Sequence, residues 1–150
     1  MIEALDLVLI HQLLGEYGYA IDTANWTRFA ALFEPDATLD YTGVRSRQVC
    51  AGIDEILDYF RDANHPAAHH VTNIVVVEAD GEVQVHSKFL VPYTRPTHSP
   101  HRWYGGDYVD TVVRGNDGAW RFSRKVCTPR WQFTAAPFDD NDIAEHRRTF

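Results

Sequence analysis

The hydrophobic period of this chain changes once, near Asn64-His-Pro66. Before that point apolar residues recur every three or four positions, as on one face of a helix; beyond it they alternate, as in strands. Leu5, Leu9, Leu13 and Tyr17 form a four-spaced stripe, which predicts a first helix from Ile2 to about Ile21. A second is expected from Asn25 to Phe33. Asn25 would cap it, Trp26, Phe29, Ala30 and Phe33 would share a core-facing side, and Pro35-Asp36 would end it. Ala37 to Tyr41 reads as a short strand. Gly52-Ile-Asp54 opens a third helix with Ile56, Leu57 and Phe60 inside.

Strands follow. Val71 to Glu78 is rich in β-branched residues, and Ala79-Asp-Gly-Glu82 is a hairpin turn. From Val83 to Tyr93, Val83, Val85, Phe89 and Val91 point one way and Gln84, His86 and Lys88 the other. Thr94 and Arg95 lead into a loop from Pro96 to Pro100. Further strands run from about His101 to Arg114 and, after the turn Gly115-Asn-Asp-Gly118, from Ala119 to about Phe133. The tail holds Pro137, the acidic run Asp139 to Asp142 and a final helical turn. The order predicts an α+β fold: one domain over residues 1–150, a cone-shaped α+β barrel in which three N-terminal helices pack on a strongly curved antiparallel sheet around a pocket.

The 150 residues are 45% hydrophobic and 23% charged, an ordinary globular balance. Four Trp, seven Tyr and eight Phe exceed what a core of this size requires, so some rings are expected to line a cavity or a subunit interface. The net charge of −7 disfavours nucleic acid and anionic membrane as partners. The cluster Arg121, Arg124 and Lys125 reads as a solvated face. Cys50 and Cys127 are far apart and form no C-x-x-C pair; His86, His98, His101 and His146 have no ligand spacing. No metal is expected, and with no Gly-rich loop before a helix, no cofactor either. Asp6, His11 and Glu16 interrupt the first apolar segment, which disfavours a signal peptide, and no stretch could span a bilayer. A cytoplasmic location is the expectation.

Specific words then stand out: Leu13-Leu-Gly-Glu-Tyr17, Ala20-Ile-Asp22, Asn25-Trp26, Ala31-Leu-Phe33, Pro35-Asp-Ala37, Asp40-Tyr41, His69-His-Val-Thr-Asn73 and Asp117-Gly-Ala-Trp120. Together they resemble the nuclear transport factor 2-like superfamily, and within it the SnoaL-like branch that includes scytalone dehydratase and hexachlorocyclohexane dehydrochlorinase. The resemblance covers nearly the whole chain. It implies the fold strongly and the function weakly, because the scaffold hosts several unrelated chemistries. In the dehydratase and dehydrochlorinase, an Asp near the end of the first helix pairs with a His at the start of the first long strand. The resemblance places that Asp at Asp22 and the His at His69 or His70, with His69 fitting better when Asn73 is the anchor. Tyr41 matches a dehydratase tyrosine. Ile21 stands where that enzyme has another Tyr, and Tyr93 where it has a second His. The tail, Phe138-Asp-Asp and Arg148-Thr-Phe150, resembles a C-terminal lid.

A His oriented by a carboxylate is a general base; Tyr41 or Tyr93 could hold an oxygen on which negative charge develops. The expected reaction is a cofactor-independent elimination or isomerisation of a small, mostly apolar or aromatic compound. Asp22, His69, Tyr41 and His70 are the catalytic candidates, and Phe89, Tyr93, Trp103, Tyr108 and Asp110 the candidates for binding. Two alternatives stand beside it: a non-catalytic ligand-binding or assembly domain, and a cyclase using a sheet carboxylate such as Asp110. Asp22 could equally cap its helix, and Tyr41 could be a core residue. Asp107 and Asp110 read as solvated strand charges. Sheet aromatics and family habit imply a homo-oligomer, dimer or trimer.

Overall fold

The computed structural model describes residues 2–43, 49–63, 65, 68–93 and 101–135. The Pro96–Pro100 loop and the tail with Pro137, the acidic run and the lid-like segment lie outside the described residues.

The first helix, α1 (Ala4–Asp22), opens on a capping box in which the Asp6 carboxylate accepts the Glu3 backbone N–H at 3.1 Å. Ile10, Leu13, Leu14, Tyr17 and Ile21 are its buried stripe. It stops at Thr23, and Ala24 takes a left-handed φ of 51°. Asn25 then caps α2 (Trp26–Ala30), its side chain accepting the Arg28 N–H at 3.0 Å. This helix is shorter than its apolar pattern implies. Phe33 pairs with Phe122 across the sheet and so belongs to strand β1 (Phe33–Asp40), not to the helix. Pro35 is tolerated there because the ladder is irregular between Phe33 and Thr38. A three-residue strand, β2 (Val49–Ala51), was not foreseen. Helix α3 (Ile53–Asp62) starts from Gly52 at φ 86° and buries Ile56, Leu57 and Phe60.

The remaining strands are β3 (His70–Ala79), β4 (Glu82–Tyr93), β5 (His101–Arg114) and β6 (Trp120–Ala135). They form a meander, as expected, but the whole sheet is mixed, with order β2-β1-β6-β5-β4-β3 and β1 parallel to β6. It is open, with β2 and β3 as its edges, and it curls as the strongly curved sheet expected from sequence does. The curl follows from contacts. Helix α1 packs against both β6 and β3, which stand three strand spacings apart, about 14 Å on a flat sheet. A helix about 10 Å across touches both only if the sheet wraps around it.

Candidate functional site

Asp22 is the last residue of α1, at the negative end of the helix dipole, and no basic residue lies in the helix's last turn. Its carboxylate is therefore in need of donors, and His69 supplies two. The His69 backbone N–H donates to Oδ2 at 2.9 Å, and ring Nδ1 lies 2.6 Å from Oδ1. The carboxylate can only accept, so Nδ1 carries the proton and Nε2 is left as the basic nitrogen. Burial pushes the Asp22 carboxyl up, but the two hydrogen bonds and the charges of His69 and His70 outweigh it and hold the group below its ordinary value.

Gly18 makes the approach possible. It lies one turn before Asp22 on the same side of α1, and a Cβ there would meet both Cβ and the backbone oxygen of His69 at 3.2 Å. The His69 side chain is 8% exposed, and its ring meets that of Tyr17 nearly edge-on at 6.3 Å. His70 begins β3 opposite Leu90 and is exposed, so of the two histidines His69 is the one that joins Asp22.

His69 opens onto a cavity of about 560 Å³. Tyr41, Phe60, Phe89, Tyr93, Tyr104 and Tyr108 are among its lining residues. Phe89 and Tyr108 stack at 4.7 Å. The Tyr41 hydroxyl shares a hydrogen bond with that of Tyr17, and the Tyr108 hydroxyl lies within reach of both. Burial pushes all three phenols well above their ordinary value, so they remain neutral donors. His65 also lines the cavity, stacked on Phe60 at 5.7 Å.

Two of the binding candidates stand elsewhere. Trp103 faces the other side of β5, stacked on Phe133 at 5.8 Å, because strand residues alternate and Tyr104 and Tyr108 take the inner face. Asp110 is inward but lies behind the cavity wall, fully buried, its Oδ2 accepting from Lys125 Nζ at 2.9 Å. Neither residue is solvated as the sequence implied. The Lys125 ammonium rests over the rings of Tyr108 (3.9 Å), Tyr17 (4.2 Å) and Phe122 (4.7 Å). Asp107 is the outer-face charge, held between Lys88 and Arg130.

Sequence reasoning missed Gly18, Tyr17, His65 and the pair Gly105-Gly106. A Cβ on Gly105 would lie 2.0 Å from the Trp131 ring, and one on Gly106 would lie 2.2 Å from the Thr128 carbonyl and 2.8 Å from the Phe89 ring. Two adjacent glycines within a predicted strand were the available signal. Among the described residues, no three of His, Cys, Asp and Glu converge as a metal site. No described helix is long and apolar enough to cross a membrane.

Among curated proteins, none matches the chain in sequence. Solved structures do match in fold. A scytalone dehydratase-like protein from Novosphingobium aromaticivorans is 23% identical, with a TM-score of 0.74 over 89% of this chain and 93% of that one. A hexachlorocyclohexane dehydrochlorinase is 16% identical, with a TM-score of 0.76 over 89% and 91%. ActVI-ORFA from Streptomyces coelicolor is 19% identical, with a TM-score of 0.66 over 82% and 96%. The SnoaL-like domain family matches residues 3–126, and this chain belongs to it.

Proposed function

We propose that the chain is a cofactor-independent lyase or isomerase acting on a small, mostly apolar or aromatic compound. The observation that carries this reading is the 2.6 Å contact between His69 Nδ1 and Asp22, with the ring at the wall of the cavity. Nε2 takes a proton from a substrate carbon. Positive charge then grows on a ring that faces both an ionised carboxylate and the negative end of α1, an arrangement that stabilises it. The electrons left on carbon expel a leaving group, giving elimination, or the proton returns at another carbon, giving isomerisation. Tyr41, a neutral phenol at the wall, donates a hydrogen bond to the oxygen that gains charge. The volume suits one small organic molecule. The similar folds include a dehydrochlorinase, whose name describes an elimination.

The test is a screen of aromatic and alicyclic substrates for elimination, and for uptake of solvent deuterium at carbon, with wild type and His69→Ala side by side. The variant is expected to keep its circular dichroism spectrum and lose roughly 10²–10⁴-fold in kcat. Full activity in His69→Ala would sink the assignment. Tight binding without turnover in any assay would favour the non-catalytic reading.

A further inference from the structure

The cavity wall is uneven in charge. Among its described lining residues there is no Asp or Glu, although acidic residues outnumber basic ones in the chain by 21 to 14. Two guanidiniums do line it, Arg102 and Arg130. They are not equivalent. Gly106 pairs with Pro129 and Gly105 with Trp131, so Arg130 is the extra residue of a bulge; its Nε donates to Asp107 on the outer face at 2.7 Å. Arg102 is on the inner face of β5, in step with Tyr104 and Tyr108, and its ladder neighbours are Tyr93 and Thr134. Among the described residues no carboxylate pairs with it.

The same face continues inward from Arg102 through Tyr104 to Tyr108. Six residues of β5, about 20 Å of extended chain, separate Arg102 from Tyr108. Tyr108 belongs to the His69 end, since the Tyr17 ring lies 6.1 Å from Tyr108 and 6.3 Å from His69. Tyr93 and Tyr104 pack edge to face at 5.4 Å beside Arg102, and Phe89 and Tyr108 stack farther in. A cationic group at one end of an aromatic channel, and a base at the other, define a ligand with matching ends.

The geometry points to an elongated aromatic carboxylate as the ligand class, its carboxylate held at the mouth by Arg102 and its apolar body along Tyr104, Phe89 and Tyr108. This rests on the cavity being the substrate site, and it assigns Arg102 as the residue that selects for anionic ligands. A guanidinium suits this task because it presents paired N–H donors to a carboxylate and never loses its charge.

The experiment is equilibrium binding, not turnover, so that it stands apart from the His69 assignment. 2-Naphthoate and its neutral isostere 2-naphthamide are titrated into wild type, His69→Ala and Arg102→Gln at low salt, following tryptophan fluorescence and calorimetry. Naphthoate is expected to bind wild type about tenfold more tightly than naphthamide. His69→Ala should keep a clear preference for the acid, whereas Arg102→Gln should bring the ratio to about one and leave naphthamide binding unchanged. Arg102→Lys should restore part of the preference. Equal binding of acid and amide by wild type, a preference that survives Arg102→Gln, or no binding of naphthoate at millimolar concentration would each overturn the inference. Loss of turnover in His69→Ala with equal binding of acid and amide would leave the lyase reading standing and remove this one.

Discussion

The ammonium of Lys125 is 1% exposed and its partner Asp110 is wholly buried. Burial pushes the Asp110 carboxyl up and Lys125 pulls it back, without restoring the ordinary value. A buried pair of this kind contributes little net stability, but breaking it leaves a charge with no partner. Asp110→Ala is therefore expected to cost about 3–5 kcal/mol. Lys125→Met combined with Asp110→Val should recover most of that loss. Urea denaturation of the three proteins checks both; a single-variant loss under about 1 kcal/mol would contradict the account. Asp110 Oδ1 and Ser87 Oγ lack hydrogen-bond partners among the described residues, which makes the site still less tolerant of change. The sequence concealed this. Phe122 and Lys125 are three apart and both point inward, which alternation forbids. The register shift that sets Val112 against Phe122 and Thr111 against Arg124 inverts the parity between them. Nothing in Arg121-Phe-Ser-Arg-Lys125 announces that bulge. Asp22 and His69 were legible only through resemblance, because their contact spans 47 positions.

Elements were easier to read than side chains. The bounds of β5 and the meander itself followed from alternation and turn chemistry, since those signals are local. The short strand β2 and the parallel pairing of β1 with β6 were not legible, because three residues carry no period and a long-range partner leaves no local mark. Helix α2 was read too long because Phe33 continues its apolar spacing, and only sheet pairing reassigns it. The Gly105-Gly106 step in β5 shows how an element sets the site. It lets the Trp131 indole cross one residue and the Phe89 ring cross the next, bringing Phe89 against Tyr108 at the cavity wall. A methyl at Gly106 meets a backbone carbonyl as well as a ring, and the carbonyl cannot move without disturbing β6. Gly106→Ala should destabilise the protein by about 1–3 kcal/mol and weaken binding of aromatic ligands. Thermal melts and fluorescence titration test this, and an unchanged melting temperature with unchanged affinity would show that the strand absorbs the methyl.

At the scale of the molecule, α1 is fastened to the sheet by a carboxylate at each end. At its start, Asp6 accepts from Trp120 Nε1 at 3.1 Å and pairs with Arg114 at 3.2 Å; at its finish, Asp22 holds His69. The curl of the sheet depends on this helix, and so does the cavity beneath it. Both carboxyls lie below their ordinary value of 3.8. Asp6 is lowered chiefly by the Glu3 backbone N–H and by Trp120; Asp22 is lowered by its His69 hydrogen bonds against the opposing effect of burial. A carboxyl whose pKa falls on folding binds fewer protons folded than unfolded. Its stabilisation is complete above the unfolded value and fades as pH drops through the folded one. The free energy of unfolding is thus expected to change little between about pH 7 and 5 and to fall steeply below about pH 4. Asp6→Asn/Asp22→Asn should be less stable than wild type at neutral pH and lose less on acidification, so that the two stability curves converge toward low pH. Guanidinium titrations across that range would show it. Curves that stay parallel would mean that other carboxylates, such as Asp107 between Lys88 and Arg130, carry the acid sensitivity and that the ends of α1 do not.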